Sequence, residues 1–227
     1  MRKFIYRVRQ INSGSFNLNQ WLLLSAGFNC CLLIARMIVT QTIEYIFLPW
    51  NLVLAFVPYW ITLWMSAHPD SIENKLKRFL FMAAWLLFIP NSFYIITDLF
   101  HFANVRTAPK WFDLLLIFSF AWNGMLCGIT SLRRMEFLAG LSNGRNFSVL
   151  LVFVVMWLNA LGIYIGRFLR FNSWDIITDP FSLAAEIAYL ICNPVENGFA
   201  WGMTLLYGVF MSILYLSLKK LNDPFLV

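Results

Sequence analysis

Six long apolar stretches, separated by short polar segments, dominate the pattern of this chain. They cover residues 21–39, 45–65, 79–98, 111–132, 147–166 and 199–218. A helix needs about 20 mostly apolar residues to cross the hydrocarbon core of a bilayer. The pattern therefore predicts an all-α fold, a polytopic transmembrane helical bundle with about six spanning helices. We expect one transmembrane domain over 20–218, a basic N-terminal segment over 1–19 and a tail over 219–227.

A shorter apolar stretch lies between the last two predicted spans. Residues 181–192 form an apolar helix pattern with Glu186 inside it, within the polar segment 171–198. A stretch of this length is too short to cross a bilayer and is typical of interfacial or re-entrant segments. We expect a short helix that lies on the membrane surface or dips into it.

Composition excludes a soluble domain. Hydrophobic residues make up 60% of the chain and charged residues 12%, whereas soluble domains carry about 25% charged residues. No glycine-rich phosphate loop occurs in the sequence, so we expect no nucleotide cofactor. The net charge of +6 follows membrane topology, and we expect no nucleic-acid partner.

Twelve of the 17 basic residues fall on one side of the membrane if every stretch crosses once. They are Arg2, Lys3, Arg7, Arg9, Lys75, Lys77, Arg78, Arg133, Arg134, Arg145, Lys219 and Lys220. The positive-inside rule then places both termini in the cytoplasm. Arg36 lies inside the first span near the other side, where we expect its side chain to snorkel to the surface.

Glycines at a spacing of four residues predict close helix packing within the bundle. Such spacing lets membrane helices approach each other. It occurs three times, at Gly124 and Gly128, at Gly162 and Gly166, and at Gly198 and Gly202.

The acidic residues gather on the side opposite to the basic ones. They are Glu44, Asp98, Asp113, Asp175, Asp179, Glu186 and Glu196. Ionisable groups in or beside membrane helices usually face a cavity or a charged partner. This outer side therefore holds the candidate functional site.

One polar stripe runs along the third span towards this side. Asn91, Tyr94, Asp98 and His101 are spaced by three and four residues, so they share one helix face. Asp98 and His101 could form an ion pair at a helix end, act as an acid–base pair, or hold a divalent cation together. Asp113 begins the next span and lies near the same rim.

A metal site would need a third carboxylate beside Asp98 and His101. Asp113 is the first candidate and Asp175 the second. No HExxH or CxxC signature supports a particular metal, so the chemistry of the cation stays open.

Two arginines follow the fifth span with a spacing of three residues. Arg167 and Arg170 could form a fork for a phosphate or a carboxylate, or they could pair with Asp113 or Asp175. Asn172 follows directly and is a further candidate for substrate binding.

Asparagines inside the spans allow two interpretations. Asn51 lies between two prolines of the second span, and Asn91 follows Pro90 in the third. Together with Asn123 they could form hydrogen bonds between helices, or they could mark broken helices around a mid-membrane binding site.

Several of these motifs resemble a known family. The runs over 85–101, 111–113 and 166–175 are similar to those of DUF1361, a family of bacterial integral membrane proteins of unknown function. The resemblance covers about 50–218 and implies a multi-span fold in a bacterial cell membrane. It implies no established activity.

Three functions remain as hypotheses. The first is an enzyme acting on a lipid or lipid-linked envelope substrate, with Asp98, His101, Asp113 and Asp175 as catalytic candidates. Its substrate-binding candidates are Arg167, Arg170, Asn91, Asn51, Tyr94 and Asn172. The second is a transporter of a small anion or small molecule, or an accessory subunit. The third is a structural membrane protein. Membrane lipids are expected partners in each case.

Overall fold

The computed structural model describes residues 18–103 and 107–221. Its helices are α1 (Leu18–Thr40), α2 (Phe47–Ala67), α3 (Asp70–Glu73), α4 (Lys75–Tyr94), α5 (Lys110–Asn143), α6 (Arg145–Tyr164), α7 (Asp175–Thr178), α8 (Pro180–Cys192) and α9 (Gly198–Leu221). A 3₁₀ segment, Ile95–Ala103, extends α4, and a π-helical turn, Ile165–Leu169, extends α6. Residues 1–17 of the predicted N-terminal segment and residues 222–227 of the predicted tail lie outside the described residues.

Within the described residues, six helices are long and apolar enough to cross a membrane. They are α1, α2, α4 with its 3₁₀ extension, α5, α6 with its π turn, and α9. This confirms the predicted all-α bundle of six spanning helices. α8 is the predicted short helix before the last span. It has 13 residues, which is too few to cross a bilayer.

α5 is the central helix of the bundle. In its 18-residue apolar stretch, 61% of the residues are buried, against 22–39% in the corresponding stretches of the other five spans. It packs against α1, α2, α4 and α6, and the apolar core forms one cluster with α1 and α2 and a second with α4, α6 and α9. α9 lies at the edge and packs mainly on α6.

Serine hydroxyls satisfy backbone carbonyls of α2 around Pro58. Ser92 of α4 donates to the carbonyl of Ala55 at 2.8 Å, and Ser131 of α5 donates to the carbonyl of Pro58 at 2.8 Å. Trp85 Nε1 donates in turn to Ser131 at 2.7 Å. A membrane offers no water to backbone carbonyls, so hydroxyl donors from neighbouring helices are favourable partners. These bonds therefore fix α2 against α4 and α5.

Close packing between α4 and α5 depends on two glycines. A Cβ atom added to Gly124 would lie 2.5 Å from Ile95 Cγ2, and one added to Gly128 would lie 2.8 Å from Ser92 Cβ. No side chain fits at such distances without movement. The glycine spacing predicted this contact correctly.

The other glycine pairs differ from each other. An added Cβ would lie 3.1 Å from Pro90 at Gly162 and 3.3 Å from Tyr94 at Gly166, so α6 also packs closely on α4. The prediction is wrong for Gly198 and Gly202, because no other described residue comes within 4 Å of a Cβ added at either position. The start of α9 makes its contacts through other residues, such as Phe199 and Trp201.

The bundle has two rims with different polar chemistry. We call the side where α1 and α6 end and α2, α5 and α9 begin the polar rim. The opposite side, the basic rim, carries the basic residues of α4, α5 and α9. There Lys219 binds Glu136 at 2.5 Å, and the hydroxyl of Tyr215 donates to the same carboxylate. This contact joins the end of α9 to α5.

Candidate functional site

The polar stripe of α4 tightens where it reaches the polar rim. The helix ends at Tyr94 and continues as a 3₁₀ helix of nine residues. With three residues per turn, side chains three apart lie directly above one another, which aligns Asp98 with His101. Thr97 Oγ1 donates to the carbonyl of Tyr94 at 2.7 Å, which gives this backbone acceptor a partner where the α-helix changes to the 3₁₀ helix. 3₁₀ runs longer than three or four residues are uncommon.

Asp98 is buried and held from two sides. Its side chain is 1% exposed. Asn51 Nδ2 of α2 donates to Oδ2 at 2.8 Å, and Arg167 Nη1 lies 4.0 Å from Oδ1. A buried carboxylate needs donors or an opposite charge to remain ionised, and these two residues supply one of each.

Arg167 joins this group from the π turn after α6. Its Nη2 atom lies 3.4 Å from His101 Nδ1, and its guanidinium lies 5.4 Å from the ring centroid of Phe100. The wider π turn directs Arg167 towards the 3₁₀ segment, and Arg170, in a left-handed conformation with φ 63°, caps its end. The structure therefore brings together Asn51, Asp98, His101 and Arg167, which we call the Asp98 site.

The imidazole ring of His101 has two polar contacts. The guanidinium of Arg167 lies 3.4 Å from Nδ1, and the ring also forms a hydrogen bond with the backbone of Asp98. The ring also packs 4.9 Å from that of Phe47 at the start of α2. The ring of His101 is therefore held between Arg167, the backbone of Asp98 and Phe47.

Arg36 does not snorkel, and this prediction is wrong. The residue is 1% exposed. Its Nε atom donates to Asp113 Oδ1 at 2.7 Å, and Nη2 donates to Glu44 at 2.9 Å and to Thr107 at 3.0 Å. The guanidinium also lies 4.6 Å from the ring centroid of Tyr45. A buried charge with this many partners ties α1 to α5 and to both adjoining loops.

The two loop residues of this network have shifted pKa values. Hydrogen bonds from Thr107 and then Arg36 lower the pKa of Glu44. Burial, followed by the charge of Asp113, raises the pKa of Tyr45 to about 12. Both shifts favour an ionised Glu44 and a neutral Tyr45 at neutral pH.

Asp113 is therefore a partner of Arg36. The sequence placed Asp113 beside Asp98 and His101 as a third metal ligand. Within residues 18–103 and 107–221, no three His, Cys, Asp or Glu side chains form a group that could hold a metal ion. Asp113 therefore forms an ion pair with Arg36 and does not join Asp98 as a metal ligand.

Asp175 and Asn172 form a local turn. Asp175 Oδ2 accepts from the backbone N–H of Asn172 at 2.6 Å, and Oδ1 accepts from Thr178 at 2.9 Å. These bonds, that of Asn172 first, lower the pKa of Asp175. Arg170 nearby is exposed, and its guanidinium makes no hydrogen bond or ion pair with any part of the chain that the structure describes. The predicted arginine fork is therefore reduced to Arg167.

Asn91 fastens the segment after α6 onto α4. Its Nδ2 atom donates to Ser173 Oγ at 2.8 Å, and Ser173 Oγ donates to the carbonyl of Leu87 at 3.2 Å. Asn51 and Asn91 thus both form hydrogen bonds between separate elements. Asn123 does not, since its fully buried amide has no partner among the described residues.

A cavity of about 470 Å³, which we call the groove, lies beside the Asp98 site. α2, α4 and α6 form its walls, and the segment 171–176 and α8 cover it. Most of the lining is apolar, and the polar lining residues are Asn51, Asn91, Tyr94, Asn172 and Ser173. Asn51 lines this groove and also donates to Asp98, so the two features are neighbours.

Comparison with known proteins agrees with the sequence motifs. A family model described as "Protein of unknown function (DUF1361)" matches residues 50–214, which include the whole Asp98 site and the groove. Arg36 and Glu44 precede the matched region. No curated protein and no solved structure matches the chain. Because the family model covers more than two thirds of the sequence, the chain belongs to the DUF1361 family of proteins of unknown function.

Proposed function

We propose that this protein acts on a lipid or lipid-linked molecule at the polar rim. Arg167 would bind an anionic group of that molecule, and His101 would be the acid–base residue beside it. The observation that carries the proposal is the convergence of Asp98, His101 and Arg167 next to an apolar groove. An amphiphile needs both features, a site for charge and a site for an apolar body.

Arg167 has the free donor capacity that an anion site requires. Its contacts with Asp98 and His101 are long, at 4.0 and 3.4 Å, and a guanidinium carries five donors. Its side chain is 17% exposed, so part of it reaches the surface of the bundle. Guanidinium groups bind phosphate and carboxylate through paired hydrogen bonds.

Asp98 acts on this site as a positioning residue. Its burial keeps it from direct contact with a bulky molecule, and its charge balances that of Arg167. Asn51 holds the carboxylate in place. His101 is the residue placed for proton transfer, because its ring lies beside Arg167 and a histidine ring exchanges protons near neutral pH.

The extent of the groove supports this role over that of a transporter. A transport path would need to continue from the polar rim to the basic rim. On α4, the described lining of the groove starts at Ala83, several residues away from Lys75 at the basic rim. Asn123 of the central helix does not line the groove. The groove therefore serves one side of the bundle.

Proton transfer by His101 can be tested with a matched pair of histidine variants. The purified protein is placed in vesicles of phosphatidylcholine and phosphatidylglycerol, and lipid products are followed by mass spectrometry. We expect product with the wild type and with His68→Gln, because His68 lies at the basic rim and contacts Trp64. We expect none with His101→Gln. Equal product formation by both variants would contradict the proposed role of His101.

A further inference from the structure

We infer that the groove between α2, α4 and α6 holds one acyl chain of an amphiphile from the leaflet at the polar rim, and that Ala83 sets the length of chain it accepts. This inference rests on the proposed function for the position of the head group. The groove itself supplies the arguments for the chain.

The length of the groove matches one leaflet. Its α4 wall runs from Ala83 through Leu87 to Tyr94 along one helix face. With a rise of 1.5 Å per residue, this distance is about 16 Å. The hydrocarbon core of a bilayer is about 30 Å thick, so the groove covers about half of it.

The polar residues of the lining lie at one end of the groove, and this sets the orientation of a bound amphiphile. All polar lining residues are at or after Asn91 on α4, at the start of α2 or in the segment 172–173. The deeper α4 positions are Ala83, Leu86 and Leu87, which are apolar. A head group therefore lies near Arg167, and its tail points towards Ala83. The cavity volume of about 470 Å³ falls in the range of small-molecule sites.

The groove is accessible from the side that faces lipid. Trp50 and Leu158 line it and are 56% and 43% exposed, and Leu86 is 38% exposed. These side chains belong to the apolar outer surface of spanning helices, where lipid tails lie. A tail can therefore enter laterally without leaving the bilayer, which favours a membrane amphiphile over a water-soluble ligand.

α8 covers the groove through two apolar side chains. Leu183 and Ile187 line the cavity, four residues apart on one helix face. Leu190 is the one buried residue of α8, and its carbonyl accepts from Trp201 Nε1 at 3.0 Å. One end of α8 is thus held by α9, while the other presents its apolar face to the groove.

Ala83 is the lining residue of α4 furthest from the polar rim and is exposed, so a larger side chain there shortens the site. We expect Ala83→Phe to bind short-chain lysophosphatidylglycerol as the wild type does and to lose affinity for the long-chain form. The expected loss is about tenfold for every two methylenes displaced. Native mass spectrometry of the purified protein with each lipid measures both affinities. Ala83→Leu gives a smaller loss in the same direction and replaces the first variant if that variant does not fold.

The matched control is Ala35→Phe. Ala35 is exposed on α1, and α1 contributes no described lining residue, so both tails should bind as in the wild type. The inference would be overturned if the Ala83 variants bound the short-chain and long-chain lipids with equal affinity. It would also be overturned if they lost the same affinity for both lipids. A loss in Arg167→Gln that does not depend on tail length reports the head-group site separately.

Discussion

Arg36 Nε donates a 2.7 Å hydrogen bond to Asp113 Oδ1, and both side chains are almost completely buried. The bond joins the end of α1 to the beginning of α5, the central helix. A buried ion pair has a large desolvation cost, so it contributes little net stability compared with apolar residues, yet loss of one partner leaves a buried charge unpaired. The pair therefore makes stability depend on both residues together.

Removal of one partner of this pair should destabilise the protein strongly. We expect Arg36→Met or Asp113→Leu to lower the free energy of unfolding by about 3–5 kcal/mol. The double variant should be more stable than either single variant, because no buried charge remains unpaired and Glu44, the other partner of Arg36, has a side chain that is 37% exposed. Thermal unfolding of the purified protein in detergent measures this. Lys219→Met is the control at the basic rim, where the lysine is 41% exposed and a smaller loss is expected. Additive losses in the double variant would argue against coupling.

The same network gives stability a dependence on pH through Glu44. Because its pKa is lowered in the folded protein from 4.5, Glu44 stabilises the fold at pH values above 4.5. This contribution is lost as the pH falls below 4.5 and through the lowered folded pKa. We expect the wild type to melt at a higher temperature than Glu44→Gln at neutral pH, and the difference to disappear in acid. A difference that stays constant over this range would show that ionised Glu44 does not support the fold.

Glycine substitutions test the contact between α4 and α5. Gly124→Ala should lower stability by about 1–3 kcal/mol, as overpacking does, since its Cβ would lie 2.5 Å from Ile95. Gly202→Ala is the matched control, because no described residue lies within 4 Å of its added Cβ and alanine favours helix formation. Thermal unfolding of both variants gives the comparison. A stable Gly124→Ala protein would mean that the two helices lie further apart.

The orientation in the membrane is a prediction from charge that Cys192 can test. This cysteine is exposed at the end of α8, on the polar rim. If the positive-inside rule applies, a membrane-impermeant thiol reagent should label Cys192 in intact cells. The variant Cys192→Ser is the control and should lose the label. Labelling only after the cells are opened would place the polar rim in the cytoplasm and reverse the topology.

Sequence periodicity predicted the elements well, because membrane spans depend on local composition. Apolar runs of about 20 residues identified all six spanning helices and the short α8. The spacing of Asp98 and His101 predicted their common face, and the 3₁₀ geometry preserves it. Spacing along a single helix fixes a face in this way whatever the neighbouring helices are.

The choice of partner could not be predicted in the same way. Asp113 was expected beside Asp98, but it binds Arg36 of α1 because α1 packs against α5. Sequence alone gives no packing order of helices. A signal was nevertheless present: Arg36, Glu44 and Asp113 are charges of opposite sign near the same rim, and a buried arginine needs such partners. The π turn that directs Arg167 had no sequence signature that we recognised.

Anion binding by Arg167 is the claim on which the proposed function depends, and a lipid titration tests it most directly. Lysophosphatidylglycerol is added to the wild type, to Arg167→Gln and to Lys110→Gln, which removes one exposed charge from the same rim. Hydrogen bonds to charged groups contribute about 1.5–3 kcal/mol, so we expect Arg167→Gln to bind at least about tenfold more weakly and Lys110→Gln to bind like the wild type. Equal affinity of all three proteins, or an equal loss in both variants, would contradict the account.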